Sequence, residues 1–376
     1  MSKFWCTQPI IENTNKEYFG QISVLKKDIK NTILPSNFYW MNLNVNDYET
    51  LKVIYNFLKM YYVEDKNNMY RLEYSMDFLK WILNAHGTHS ELIVGLVYKN
   101  PEQNMLLVGF ISGTIIDLVI NGMKNKFMEI NLLCVHKDMR SKGIAPLLIK
   151  EITRRSVIFG IQTAIYTIGK KVTKPFAITH YNNIFLNIEK LKQCKFINEN
   201  YTKPLTLYHI NNVKDTYIIR KIEERDIPQL KVLINKFMKK YKVHQHFNDK
   251  ELRYLFCNDI ISANVIEDKG IIIGMYSIYS LSSSILFKCE HERINKAYLY
   301  YYAYDNTKLN INDIMNYSIE LSKEKHDILC YLNIMNNKYY LNTDVVNNCE
   351  LNYNLFNYKL SQLKLVEPEE IGILIV

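Results

Sequence analysis

An α/β (α+β) protein made of two related halves is what this sequence predicts. One observation is a strand–loop–helix unit. It runs Met128-Glu-Ile-Asn-Leu-Leu-Cys-Val-His136, then Arg140-Ser-Lys-Gly-Ile-Ala145, then a helix rich in Leu, Ile and Ala. The second is an internal duplication. The third is bulk: 376 residues, 48% of them hydrophobic, suffice for two domains with a substantial core.

The duplication begins with paired helices. Asp47-Tyr-Glu-Thr-Leu51-Lys-Val and Asp226-Ile-Pro-Gln-Leu230-Lys-Val each place an Asp four residues before Leu-Lys-Val, after a short apolar–polar alternation. Both predict a strand followed by an N-capped amphipathic helix. A glycine-containing strand follows in each half, around Gly109 and around Gly274. The halves then diverge. The first continues into the Arg-x-x-Gly-x-Ala loop, and the second runs through Lys296–Tyr304 to Asp305 without one. The join falls at 203–216, giving domains 1–205 and 206–376.

The loop is a phosphate-binding device by its chemistry. Gly143 lets the backbone approach an anion. Amides of the loop and of the first helical turn point at the anion, and the helix dipole adds positive potential. Arg140 and Lys142 add charge. A strand–loop–helix of this kind suits the pyrophosphate of coenzyme A, so one half is expected to hold a cofactor while the other shapes a second pocket.

Composition removes several classes. No apolar run reaches transmembrane length, because Gly270–Leu286 is broken by Gly274, tyrosines and serines. The N-terminus lacks a signal-peptide shape. Seven cysteines stand singly, which predicts neither a disulfide framework nor a structural metal and fits a reducing cytosol. A cytoplasmic monomer is expected. The formal charge of +9 suits either a polyphosphate ligand or a lysine-rich surface. The even spread of basic residues favours the surface, and no direct nucleic-acid partner is expected.

The residues resemble a family at two levels. Arg140-Ser-Lys-Gly-Ile-Ala145 fits the coenzyme A loop of the GNAT acyltransferase superfamily. Glu129–His136 with Arg140–Lys142, Ala145-Pro146 and Ile149–Arg155 resembles the signature of the glycylpeptide N-myristoyltransferase family. Phe4-Trp-Cys-Thr-Gln-Pro9, Tyr62–Asp65 with Asn68–Arg71, Tyr166–Gly169 with Lys174-Pro175, and the terminal Ile371–Val376 resemble further family segments in the right order. The resemblance implies two fused GNAT-like halves forming a continuous, saddle-shaped mixed sheet flanked by helices. It implies transfer of myristate from myristoyl-CoA, the acyl-donor substrate, to the amine of an N-terminal glycine in proteins and peptides. No tightly bound cofactor is implied.

Site residues carry over position by position. The backbone amides of Leu132 and Leu133 correspond to the oxyanion donors, where the family has Phe-Leu. The terminal carboxylate of Val376 corresponds to the base. Asn131 and Thr167 correspond to polar groups beside the glycine amine. Lys3, Phe4 and Trp5 correspond to the segment over the nucleotide end of the cofactor. Leu132, Leu133, Cys134, Val135, Arg140, Ser141, Lys142, Gly143, Ile144 and Ala145 correspond to its strand and loop contacts. Glu64, Asp65, Tyr70, Tyr181 and Tyr298 correspond to peptide-binding positions. His136 is read as structural, not as a base.

Departures are visible as well. Gly143 stands where many members have Arg, and Lys66-Asn67 stand where acids continue. Cys349–Asn354 replaces a turn containing Gly and Asp. The loop alone also fits a general amine acyltransferase using acetyl-CoA, or a module that binds coenzyme A or peptide without catalysis.

Overall fold

The computed structural model describes residues 3–14, 19–26, 33–62, 67–202, 217–340, 349–360 and 365–376. Glu64, Asp65 and the expected join at 203–216 lie outside them. In the first half the elements are β1 (Gly20–Gln21), β2 (Phe38–Asn42), α1 (Tyr48–Tyr61), β3 (Tyr70–Glu73), α2 (Met76–Leu83), β4 (Thr88–Lys99), β5 (Met105–Ile120), β6 (Met123–Val135), α3 (Ile144–Ile158), β7 (Ala164–Ile168), β8 (Ala177–Phe185) and α4 (Ile188–Gln193). The second half has β9 (Ile218–Lys221), α5 (Ile227–Met238), β10 (Val243–Gln245), α6 (Asp249–Phe256), β11 (Ile261–Asp268), β12 (Ile271–Ser280), β13 (Ser282–Ile285), β14 (Arg293–Ile294), β15 (Lys296–Tyr304), α7 (Ile311–Lys323), β16 (Ile328–Leu332), β17 (Glu350–Phe356), β18 (Tyr358–Lys359) and β19 (Ile371–Gly372).

The order strand, helix, helix, hairpin, strand, helix, strand occurs twice, as β2-α1-α2-β4-β5-β6-α3-β7 and as β9-α5-α6-β11-β12-β15-α7-β16. One mixed sheet of 14 strands among the described residues carries both copies, in the order β19-β10-β5-β6-β7-β17-β8-β16-β15-β12-β11-β9, with β4 on β5 and β2 on β4. The halves exchange strands at its centre. β17 lies antiparallel between β7 and β8 of the first half, and β8 lies antiparallel between β17 and β16. The two copies therefore share their central hydrogen bonds.

Local chemistry explains the helix starts. Asp47 caps α1, its Oδ2 accepting from the Thr50 amide at 2.8 Å. Asp226, the expected counterpart, does not cap α5 with its side chain. Its carboxylate accepts from Arg220 at 2.7 and 2.8 Å and from the Glu223 amide instead. A guanidinium within reach is the stronger donor, so the pair displaces the cap.

Helix α3 sits close on β5 because Gly109 faces it. A Cβ there would stand 2.9 Å from Leu148 Cδ1 and 3.2 Å from Ile144 Cγ2. The helix is also tied down electrostatically. Glu151 accepts from Arg154 and from Arg155, the latter at 2.7 Å, and Arg155 Nη1 reaches Asn42 Oδ1 at 2.5 Å and the Glu91 carbonyl at 2.6 Å. Burial opposes ionisation of Glu151, but the two arginines hold its carboxyl below the usual range. Replacing Glu151 with Gln leaves the buried Arg155 without its counter-charge and is expected to cost about 3 kcal/mol. A carboxyl depressed in the folded state stabilises above its unfolded pKa, about 4.3, and loses that contribution as pH falls through the folded value. The melting temperatures of wild type and Glu151→Gln should therefore differ at pH 7 and converge in acid.

Candidate active site

Register sorts the site residues onto two faces of the sheet. Side chains alternate along strands, and laterally paired residues share a face. β6 pairs in parallel with β7 at Met128–Ala164 and Glu129–Ile165. β17 pairs with β7 at Tyr353–Thr167 and Asn354–Tyr166. Glu129, Asn131, Thr167 and Tyr353 thus share one face. Met128, Tyr166 and Asn354 share the other, where α3, Trp5 and Ile10 pack.

Beyond Glu129 the paired register of β6 with β7 ends, while β6 continues along β5 to Val135. Between β15 and β16 the same parting occurs after Tyr298. In the first half the parted strand carries a distortion. The β5–β6 register shifts between Phe110 and Ser112, leaving Leu132 and Leu133 without paired positions. Leu132 has φ +57°, the left-handed region, which costs a residue with a Cβ roughly 1–2 kcal/mol. A bulge re-aims the backbone, and strain of this kind in a buried residue makes Leu132 a candidate functional position. Leu132 is buried, whereas Leu133 is 38% exposed. The bulge is the feature that sequence reading missed. Leu-Leu carries no signal for positive φ.

The loop after β6 has the geometry expected of an anion cradle. Ser141 and Gly143 have φ +63° and +80°, and left-handed residues in such a turn make a concave array of amides. A Cβ at Gly143 would meet nothing within 4 Å, so this glycine serves conformation rather than space. Gly143 begins α3 with no side-chain cap, and no acid occupies the first turn. Its counterpart α7 is closed: Asn310 accepts from the Asn312 and Asp313 amides, and Asp313 accepts from the Asn310 amide. One helix start is free for an anion, and the other satisfies itself.

Arg140 holds the loop in place. Its Nη2 donates to the Tyr61 carbonyl at 2.6 Å and its Nε to the Val135 carbonyl at 3.3 Å. Tyr61 ends α1, where the helix dipole is negative. His136 packs on Tyr61, with ring centroids 4.2 Å apart, and its Nδ1 accepts from the Asp138 amide. That is a structural role. Lys142 is exposed, Cys134 is buried with its thiol pushed up to about 12, and Ala145 lies in the first turn of α3. Lys3 is exposed, and Phe4 meets Trp5 edge-on. Trp5 is buried and stacks on Tyr166 at 6.3 Å, so one face of its ring is already covered by protein.

On the opposite face, Glu129, Asn131 and Val376 line one cavity of about 60 Å³, with Thr114 of β5, Gln245 of β10, Glu251 and Tyr254 of α6, and Tyr300 of β15. Thr167 shares their face but is not in the cavity wall. It lies opposite Tyr353, whose hydroxyl donates to the Ile373 carbonyl at 3.0 Å. The terminal segment differs from the expected continuous strand. Only Ile371 and Gly372 join the ladder, beside Val243 and His244, because β10 is three residues long. The last four residues are held otherwise. Leu374 donates its amide to the Tyr301 hydroxyl at 3.0 Å, and that hydroxyl donates to Gln245 Oε1 at 2.8 Å. At Gly372 a Cβ would stand 2.7 Å from Tyr241 Cδ2, so the segment threads a gap that only glycine fits.

The expected peptide positions are partly gathered. Tyr181 and Tyr298 meet edge-on at 5.8 Å, and Tyr298 stacks on Tyr279 at 5.1 Å. Burial pushes all three phenols up. Tyr70 is turned to a structural task, its hydroxyl donating to the Cys194 carbonyl at 2.7 Å. Among the described residues, no group of three or more His, Cys, Asp or Glu is arranged to hold a metal.

Fold and site together define a class: a duplicated α/β acyltransferase fold with a parted sheet and an anion cradle in one half. Comparison with known proteins narrows it. Family models described as the N-terminal and C-terminal domains of myristoyl-CoA:protein N-myristoyltransferase match residues 21–179 and 192–374. The chain is 33% identical to a glycylpeptide N-tetradecanoyltransferase 2 of Danio rerio, over 99% of this chain and 77% of the relative. It is 32% identical to the glycylpeptide N-tetradecanoyltransferase of Plasmodium falciparum, over 100% of this chain and 93% of that one. Crystal structures of Saccharomyces cerevisiae N-myristoyltransferase with bound myristoyl-CoA and inhibitors superpose with a TM-score of 0.88 at 26% identity, covering 100% of this chain and 96% of that chain. A GCN5-related N-acetyltransferase from Kribbella flavida, 8% identical with a TM-score of 0.50, shares the fold alone. The chain belongs to the N-myristoyltransferase family.

Proposed function

We infer that this protein transfers myristate from myristoyl-CoA to the amine of an N-terminal glycine in peptides and proteins. The observation that carries the reading is the convergence of Val376 and Asn131 in one cavity beside the parted strand. The first half, 1–205, takes the acyl donor, and the second, 206–376, takes the peptide. The pyrophosphate sits at the Ser141–Ile144 amides and the free start of α3. The nucleotide end lies against Lys3, Phe4 and Trp5. The glycine enters near Tyr181 and Tyr298, and Glu64 and Asp65 are assigned to the peptide by the family resemblance. The reaction is assigned to the cytosol, where seven unpaired thiols persist.

The chemistry follows from the parts. The α-carboxyl of Val376 takes a proton from the glycine ammonium, directly or through one water, while Asn131 and Thr167 orient the amine. The freed amine attacks the thioester carbonyl. The carbon–nitrogen bond forms, the oxyanion is held by the amides of Leu132 and Leu133, and the carbon–sulfur bond breaks; the second proton lost by the nitrogen goes to the departing sulfur, so coenzyme A leaves as the free thiol. The bulge at Leu132 turns amides out of the ladder, so preorganised donors meet developing charge without reorganisation.

Mass spectrometry of a Gly-Asn-x-x-Ser peptide incubated with acyl-CoA of several lengths tests the reading. Addition of a tetradecanoyl group is expected. No acylation at any length favours a binding module, and acetyl transfer alone favours a general acyltransferase. Arg140→Ala should raise the KM for myristoyl-CoA about ten-fold or more, because two loop-holding bonds from a charged donor are lost. The kcat should change little. An unchanged KM would remove the loop from the cofactor site.

A further inference from the structure

One half-buried acid takes no part in the chemistry above. Glu129 lies on the strand that carries the bulge, three residues before Leu132, and faces the cavity that Val376 lines. Its Oε1 accepts from Asn131 Nδ2 at 2.7 Å. Among the described residues, no arginine or lysine lines that cavity. The titratable groups that share its cavity or its field are Val376 at the chain terminus, Glu251 and Tyr254 of α6, Tyr300 and Tyr301 of β15, Tyr353 of β17 and His86 after α2. Glu251 is already engaged, accepting from the Asn248 amide at 2.7 Å. Asn131 is therefore the neighbour through which Glu129 acts.

We propose that Glu129 is a positioning residue for acyl transfer: by accepting from Asn131 Nδ2 it turns Asn131 Oδ1 toward the cavity, where that oxygen accepts from the substrate ammonium. An ionised carboxylate has no donor, so only the amino end of the Asn131 amide faces it. A protonated Glu129 donates to Oδ1 instead, and the amide turns over, presenting a donor to a cation. Desolvation pushes the Glu129 carboxyl up to about 7. Transfer therefore gains with rising pH as Glu129 ionises, and is lost as pH falls below that value. This role rests on the acyl-transfer reading.

The test is kcat and KM for a glycine-terminated peptide, across pH from about 5.5 to 9, in wild type, Glu129→Gln and Glu129→Leu. In wild type, kcat is expected to rise through about pH 7. Glu129→Gln cannot ionise and, like the protonated acid, offers Asn131 both a donor and an acceptor, so this limb should disappear and its kcat should lie near the acid-end value of wild type at every pH. Glu129→Leu removes the acceptor and should lower kcat about ten-fold or more above about pH 7, with the KM for myristoyl-CoA unchanged. Thermal melts confirm that each variant is folded. A Glu129→Gln profile superimposed on that of wild type overturns the role of Glu129 alone, as does an unchanged kcat in a folded Glu129→Leu. A wild type that acylates no peptide at any pH overturns the transfer reading and this role with it.

Discussion

A short tag appended after Val376 is expected to abolish acylation while the protein stays folded. The terminal segment is buried: Ile371 and Ile373 are inaccessible, and Leu374 and Ile375 are nearly so. Its path is fixed by the Tyr353 bond to Ile373, the Tyr301 bond to Leu374 and the narrow gap at Gly372. Those contacts bring Val376 to the wall of the cavity that Asn131 also lines. A peptide bond at Val376 replaces a carboxylate by a neutral amide, which is no base at any working pH. Loss of a positioned general base typically costs 10²–10⁴-fold in rate, so kcat should fall to about 1% or less. The sheet needs none of the last four residues for its ladder, so the melting temperature should move by only a few degrees. Full activity in the tagged protein would sink the assignment of the base. Desolvation raises a carboxyl pKa, so the activity of the untagged protein should also decline in acid. The Glu129→Gln variant separates that contribution from the one made by Glu129.

The reading of the cradle came from local chemistry, which is why the sequence carried it. A glycine at a helix start and the absence of a cap are written in adjacent residues, and Gly143 and α3 are where the spacing puts them. The duplication was legible for the same reason, since a helix or a hairpin is specified by its own periodicity. The exchange of β8 and β17 was not legible. Which strand lies beside which is settled by partners more than a hundred residues away, as in the pairing of Thr179 with Leu351. The left-handed Leu132 was likewise hidden, because its conformation is imposed by the register shift on β5 rather than by its side chain. Glu129 was quoted only as part of a signature. Its neighbours in the cavity come from α6, β15 and the chain terminus, and nothing in Glu-Ile-Asn announces an acid with no cation to meet it.

Replacing the Leu133 amide by an ester, through incorporation of the α-hydroxy analogue of leucine, should lower kcat about 10²–10³-fold. The ester keeps the side chain and the path of the chain but deletes the N–H. If that N–H meets the oxyanion, the loss falls on the transition state, so kcat and kcat/KM should drop together while the KM for myristoyl-CoA holds. The same exchange at Met128 supplies the control. Its amide donates to the Thr163 carbonyl at 2.9 Å, where β6 still runs beside β7. Losing that bond should cost about 1 kcal/mol of stability and leave kcat within a few-fold. A structural bulge makes the opposite forecast, with both esters destabilising and neither selectively slowing transfer. The strain at Leu132 argues for the catalytic outcome. A fold that needed only a continuous strand here would gain by relaxing Leu132 into the ladder, and the esters decide whether the left-handed φ serves the oxyanion.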